Sequence, residues 1–279
     1  MTNDKKNHLH PNNYLDRPHI LKNEITGKYV CWVKFSGKIG CFGVLAADHL
    51  LGPYTMVRDN LIPYGKGVGD FDIAADEETG QAYIYLEYDH NGIAAMKLSE
   101  DYTDVIGEPS LMYTGLKPPF TREGVTLFTR NGLHYLLTSG MIGYIPNPSE
   151  AAVFKEWKGE LTVQGNPHRN DESGASFNSQ ISAVFKHPKK KDLYIALADR
   201  WLPDFLLTKE RSQWLERVVA SNFDKNYKST FLEKIRLSKM PLLGRVNTSI
   251  SDYVWLPLKF EDSRAVIDWY DEWTIEQFE

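Results

Sequence analysis

The amino-acid sequence predicts an all-β protein of the β-propeller type. Two observations carry this prediction: a two-strand unit recurs along the chain, and short additional strands follow each copy. Every unit has an alternating apolar run, a turn with Gly, Asn or Asp, and a second run that begins at a tyrosine. These tyrosines are Tyr29, Tyr83, Tyr135 and Tyr194. A four-stranded unit repeated roughly every 50 residues is typical of propeller blades.

In chain order, each unit supplies an apolar strand, a hairpin turn and a second strand. The units read RPHILKNEITGKYVCWVKF, FDIAADEETGQAYIYLEY, GVTLFTRNGLHYLLTSG and ISAVFKHPKKKDLYIALADR. Further short strands complete the predicted sheets: IGCFGVLAA, IAAMKLS, YVWLPLKF and RAVIDWYDEW. We therefore expect one β-propeller domain over residues 1–279, with functional residues at the channel end of the blades.

One segment, residues 206–245, departs from this plan and predicts a helical insertion in the last blade. It is rich in Lys, Glu and Ser, and its apolar residues Trp214, Leu215, Val218, Val219 and Phe223 have helical spacing. We expect this apolar stripe to pack against the propeller rim, and the alternative is a surface for a partner protein.

The composition argues against several classes of partner. The net charge is −5 and the pI about 5.9, whereas nucleic acids and anionic membranes attract clustered positive charge. No apolar run approaches the roughly 18 residues of a membrane span, and the first residues lack the apolar core of a signal peptide. We therefore expect no nucleic-acid or membrane partner, and a cytoplasmic location unless a segment precedes Met1.

Neither a cofactor nor a metal is predicted. The stretch GKGVGDFD matches no phosphate-binding loop, and the eight histidines are scattered without a zinc-binding pattern. Cys31 and Cys41 both lie in apolar segments, which favours buried thiols over a disulfide or a metal site.

Two carboxylates occupy equivalent places in successive units. Asp70 precedes the first strand of the second unit, and Glu123 precedes that of the third. Two carboxyls that converge on one pocket raise each other's proton affinity, so that one can act as a general acid. The alternative is that both acids accept hydrogen bonds from neighbouring backbone amides.

The fourth unit carries Gln180 at the equivalent place. An amide can orient a water molecule or bind a sugar hydroxyl, but it is a poor proton acceptor. Tyr144, Arg200 and Trp201 follow second strands, where they are candidates for a saccharide-binding rim or for ordinary packing.

Ordered phrases along nearly the whole chain resemble the five-bladed propellers of glycoside hydrolase family 43, most closely the branch that contains exo-β-1,3-galactanases. The phrases are DRPHILKNEITGKYVCW, LGPYTMV, GDFDIAADEETGQAYIY, REGVTLFTRNGLHYLLTSG, GYIPNPSEA, SFNSQIS, LYIALADRWLP and YVWLPLKF with IDWYDEW. The resemblance implies that Glu123 is the general acid, that Asp70 tunes its pKa, and that Gln180 positions the attacking water of an inverting reaction. Arg122 joins Tyr144, Arg200 and Trp201 as predicted substrate-binding residues.

The sequence departs from the family pattern in two ways. Nothing before DRPHI corresponds to the first blade of such proteins, so we count about four blades, and Asp16 does not match the base of that blade. Gly124 and Val125 also replace the Ala-Pro or Gly-Pro that is common after the acid.

Three readings of function follow. The first is an O-glycosyl hydrolase of inverting type that removes terminal sugars, with β-1,3-linked galactose as one candidate, from poly- or oligosaccharides. The second is a truncated propeller that binds carbohydrate without turnover, and the third is a propeller for protein interaction. The wider family also handles arabinosides and xylosides, so the sugar stays open, as does the oligomeric state.

Overall fold

The computed structural model describes residues 4–36, 40–65, 67–76, 78–240 and 246–279. Within these residues the strands form four antiparallel sheets, each made of four strands that follow one another along the chain. A four-stranded meander is the topology of a propeller blade. The predicted all-β class and the four-blade organisation are therefore confirmed.

The strands have the following bounds. The first sheet contains β1 (Leu15–Lys22), β2 (Tyr29–Phe35), β3 (Cys41–Ala47) and β4 (Thr55–Leu61), and the second contains β5 (Val68–Ala75), β6 (Ala82–Tyr88), β7 (Ile93–Leu98) and β8 (Val105–Met112). The third contains β9 (Arg122–Arg130), β10 (Leu133–Gly140), β11 (Ser149–Phe154) and β12 (Thr162–Gly165), and the fourth contains β13 (Gln180–Lys186), β14 (Tyr194–Arg200), β15 (Asp252–Glu261) and β16 (Arg264–Ile267). Short 3-10 turns cover Ser176–Asn178, Thr248–Ile250 and Ile275–Gln277.

The hairpins form where the sequence predicts them. All four repeated tyrosines lie in the second strand of their sheet. Between β9 and β10, Asn131 and Gly132 have φ values of 51° and 71°, which is the backbone of a tight type I′ turn. Tyr135 then stacks on Phe128 across this hairpin, with ring centroids 4.8 Å apart.

The chain divides into two compact units, Met1–Thr114 and Gly115–Glu279. The first unit contains a core between its two sheets, in which Trp32 is fully buried and donates its indole N–H to the carbonyl of Tyr102 over 2.8 Å. The second unit contains a separate core built from its own two sheets. In each unit the first strands of the two sheets are in contact, β1 with β5 and β9 with β13. The residues that open these strands are therefore brought together within their own unit.

The predicted helical insertion is confirmed between β14 and β15. It contains α1 (Lys209–Ala220) and α2 (Phe231–Ser238), while residues 241–245 at its end lie outside the described residues. Leu215, Val218 and Val219 are buried as the helical spacing predicts. Phe223 lies beyond the end of α1 and is half exposed, so it does not belong to the buried stripe.

Both cysteines are buried free thiols, as expected from their apolar segments. Burial raises the pKa of Cys31 to about 11, which keeps this thiol protonated and unreactive near neutral pH. In the described part of the chain, no helix combines the length and the apolar character needed to cross a membrane.

The buried imidazole of His168 predicts a specific pH dependence of the free energy of unfolding. Burial lowers the pKa of this imidazole from 6.5 to about 4, so the folded protein leaves it neutral while the unfolded chain takes up a proton near its ordinary pKa. The free energy of unfolding should then fall as the pH drops from about 6.5 to about 4, by up to about 3 kcal/mol. Urea unfolding at several pH values measures this, and His168→Gln should remove that part of the dependence. His187→Gln, in the turn between β13 and β14, serves as the control and should leave the dependence in place.

Candidate active site

Glu123 is the second residue of β9, at the edge of the third sheet. It lies inside the strand, one residue after the strand begins, and not before the strand as the sequence suggests. Its backbone partner across the ladder is Ser139 of β10, and the pairing register shifts between Leu137 and Ser139. The side chain of Glu123 is partly exposed, so the carboxyl can be reached from solvent.

Gln180 opens β13 and is tied to the third sheet by a chain of hydrogen bonds. Its Nε2 donates to Ser139 Oγ over 2.6 Å, and Ser139 Oγ is 3.4 Å from the carbonyl oxygen of Glu123. On its other side, Gln180 Oε1 accepts from the indole N–H of Trp201 over 3.4 Å. Both ends of the amide are therefore fixed, which settles the orientation of Gln180.

Gly124 lies where the hydrogen-bonded side chains of Ser139 and Gln180 leave no room for a further side chain. Its φ is +62°, and a Cβ atom there would be 2.6 Å from Ser139 Oγ and 3.1 Å from Gln180 Nε2. The left-handed backbone and the close approach both favour glycine. The glycine of the Gly124-Val125 pair therefore fits the local packing of the site.

Tyr144 and Trp201, two of the predicted substrate-binding residues, come together. Their ring centroids are 5.4 Å apart and the rings are inclined at 62°. Trp201 also donates a hydrogen bond to Gln180 Oε1. The aromatic pair therefore lies beside the Gln180 amide.

Arg122 and Arg200 turn toward the protein backbone. Arg122 is 8% exposed, and its guanidinium donates to Thr138 Oγ1 over 2.9 Å and to the Thr138 carbonyl over 3.0 Å. Arg200 donates from Nη2 to the carbonyl of Phe177 over 2.8 Å. Both arginines brace segments next to the site, and their contact with a saccharide stays a prediction.

Glu216 of α1 interacts electrostatically with Arg122, and the sequence did not predict it as a residue near the site. Burial raises the pKa of its carboxyl, while the charge of Arg122 opposes that rise. The signal for it was weak, because Glu216 merely follows Leu215 in the buried stripe of an insertion.

Asp70, the predicted modulator of Glu123, belongs to the first unit. It lies in β5, with Arg17 Nη1 3.2 Å from Oδ2 and Lys34 Nζ 3.7 Å from Oδ1. Two cations therefore flank this carboxyl, and its action on Glu123 stays a prediction. Among the described residues, no three His, Cys, Asp or Glu side chains are grouped as metal ligands would be.

Residues 18–220 match the model of glycosyl hydrolases family 43. The chain belongs to this family. A comparison with curated proteins gives no match for this family 43 chain, whereas solved structures give many.

Three of the similar structures illustrate the relationship. A GH43 β-1,3-galactosidase has a TM-score of 0.73 and 23% identity, over 95% of this chain and 47% of its own. A variant of the exo-β-1,3-galactanase of Phanerochaete chrysosporium, with β-1,3-galactotriose, has a TM-score of 0.67 and 21% identity, over 91% of this chain and 48% of its own. A putative exo-β-1,3-galactanase of Bifidobacterium bifidum has a TM-score of 0.70 and 18% identity, over 96% of this chain and 75% of its own.

At these identities the similarity establishes the fold, which is the family 43 propeller. This chain spans about half the length of the first of these proteins, 47% of it.

Substitution of Gly124 tests the close packing around Ser139 and Gln180. Gly124→Ala should lower the free energy of unfolding by more than the roughly 1–2 kcal/mol that a left-handed alanine alone costs, because the new methyl group also displaces Ser139 Oγ. Chemical denaturation measures the difference.

The matched control is Gly132→Ala, since Gly132 has a φ of +71° with nothing within 4 Å of its added Cβ. Equal destabilisation by the two alanines would show that only backbone strain acts at Gly124.

Proposed function

We propose that this family 43 chain is an inverting glycoside hydrolase that releases terminal sugars, with β-1,3-linked galactose as the first candidate, from poly- or oligosaccharides. Family membership supports the reaction class. The names of the similar structures support the choice of sugar, because they are a β-1,3-galactosidase and exo-β-1,3-galactanases.

The observation that carries this proposal is the hydrogen-bonded chain from Trp201 through Gln180 and Ser139 to the strand of Glu123. It links the backbone of an acidic residue to a neutral amide and an aromatic pair, which are side chains suited to acid-assisted displacement by water at a sugar ring. The neutral side chain is Gln180, and its position is fixed from both ends.

Each residue then has a defined role. The Glu123 carboxyl donates its proton to the glycosidic oxygen as the bond to the anomeric carbon breaks. A water molecule attacks that carbon from the opposite face, held by the second N–H and the second lone pair of the Gln180 amide, which the bonds to Ser139 and Trp201 do not use. The attacking water releases its proton to solvent, and the Glu123 carboxylate takes up a proton from solvent before the next turnover. Tyr144 and Trp201 offer aromatic faces to the apolar side of the sugar.

Replacing the acid tests this proposal. Glu123→Gln should lower kcat on β-1,3-galactotriose by about 100- to 10,000-fold, because proton donation to a poor leaving group is lost. The loss should be much smaller on an aryl galactoside whose phenol leaves without a proton. Product release measured by chromatography gives both rates, and proton NMR of the first product gives the anomer, which should be α from a β-linked substrate.

Glu150→Gln is the control, since Glu150 is a partly exposed acid on β11 of the same sheet. Unchanged hydrolysis in Glu123→Gln would overturn the assignment of the acid. Saccharide binding by calorimetry with no product from the unaltered protein would instead establish the reading of a carbohydrate-binding propeller without turnover.

A further inference from the structure

We propose that Asn178 is a positioning residue for Gln180, and that through it the helical insertion controls the geometry of the candidate site. This inference rests on the proposed function, since it assigns the residue that holds the water-positioning amide in place.

The segment that leads into Gln180 has an unusual backbone. Ser176, Phe177 and Asn178 have φ values of 58°, 54° and 58°, and the chain returns to an extended conformation at Ser179. Successive left-handed residues other than glycine are unfavourable, and they persist where surrounding contacts enforce them. Gln180 comes two residues after this turn, so its position depends on those contacts.

Each residue of the turn is tethered by a hydrogen bond. Ser176 Oγ donates to the Asn147 carbonyl over 2.9 Å, and the Phe177 carbonyl accepts from Arg200 over 2.8 Å. Arg200 is the last residue of β14 in the fourth sheet, and Asn147 lies just before β11 of the third sheet. Asn178 differs, because its Oδ1 accepts from the backbone N–H of Leu207 over 2.7 Å. Leu207 lies at the start of the insertion.

The insertion is itself anchored on both sides of the candidate site. Leu207 belongs to a buried apolar cluster with Leu215 and Val219 of α1, and this cluster includes Ile142 and Ile145 on either side of Tyr144.

Helix α1 also binds the segment that precedes the left-handed turn. The N–H of Lys209 donates to the Glu172 carbonyl over 3.0 Å, and Ser212 Oγ donates to the Gly174 carbonyl over 3.0 Å. The insertion therefore clamps the loop that carries Tyr144 and the segment that leads into Gln180.

The Asn178 to Leu207 hydrogen bond is the link in this clamp that is nearest in sequence to Gln180. Asparagine suits the place on two grounds, since it tolerates left-handed backbone and supplies a side-chain acceptor. Removing the acceptor leaves a buried N–H without a partner and frees the turn from the insertion.

Three variants separate the tolerance of left-handed backbone from the side-chain acceptor. Asn178→Gly keeps the left-handed backbone and removes the acceptor, whereas Asn178→Asp keeps both. Asn131→Gly is the matched control, because Asn131 has a φ of 51° but lies in the exposed turn between β9 and β10. Steady-state kinetics on β-1,3-galactotriose and amide hydrogen exchange of residues 174–182 are measured for each variant.

We expect Asn178→Gly to lower kcat by about 10- to 100-fold while KM changes little, because a misplaced water costs rate more than substrate binding. Amide exchange in residues 174–182 should rise in this variant and stay unchanged in the β9–β10 turn. Asn178→Asp should retain most of the kcat, and Asn131→Gly should behave as the unaltered protein.

Several outcomes overturn the proposal. Unchanged exchange in Asn178→Gly would show that the tether does not hold the turn, and faster exchange with unchanged kcat would reduce Asn178 to a structural role. A loss of kcat that Asn178→Asp fails to rescue would contradict the role of the acceptor. If the unaltered protein neither binds nor cleaves the triose, the proposed function fails by itself, and the exchange data then decide separately whether Asn178 tethers the turn.

Discussion

The hydrogen bond between Gln180 and Ser139 is the contact on which the candidate site depends. It joins the opening residue of the fourth sheet to the second strand of the third sheet over 2.6 Å. A bond this short fixes how closely the two sheets approach at this end, and Gly124 is the residue that permits the approach. The same two side chains also contact the backbone of Glu123 and the indole of Trp201, so this hydrogen bond lies at the centre of the candidate site.

Much of the fold is readable from the sequence because alternating burial leaves a direct trace in strands. Tyr29, Tyr83, Tyr135 and Tyr194 mark the second strands, and Asn131 with Gly132 marks a tight turn. The helical stripe of Leu215, Val218 and Val219 was equally visible, whereas Phe223 matched the spacing but lies after the helix ends. A periodic pattern says which face is buried and does not say where an element stops.

The candidate site is only partly readable, for a physical reason. Glu123, Gln180, Tyr144 and Trp201 stand out by residue type, but Ser139 looks like any serine in a strand until its hydrogen bonds are seen. The left-handed turn before Gln180 has no sequence signature, because contacts remote in sequence impose it. The inward turn of Arg122 toward Thr138 is likewise a tertiary effect.

The buried charge of Arg122 interacts with both the blades and the helical insertion. A guanidinium that is 8% exposed needs acceptors and a countercharge to offset its lost hydration. Thr138 supplies the acceptors, and Glu216 of the insertion supplies a carboxyl whose proton affinity reflects both burial and this cation. The guanidinium next to Glu123 is thus held by Thr138 of the third sheet, and its charge lowers the proton affinity of a carboxyl on a helix outside the repeated strand plan.

The insertion begins and ends at neighbouring points, because Arg200 at the end of β14 is paired with Asp252 at the start of β15. The entropic cost of closing a loop grows only slowly with its length, so the sheet tolerates a short or a long connection here almost equally well. The same connection reaches the turn before Gln180 and the loop of Tyr144. The length of this helical hairpin can therefore change at little cost to the pairing of β14 with β15, while the contacts at its near end set the turn before Gln180.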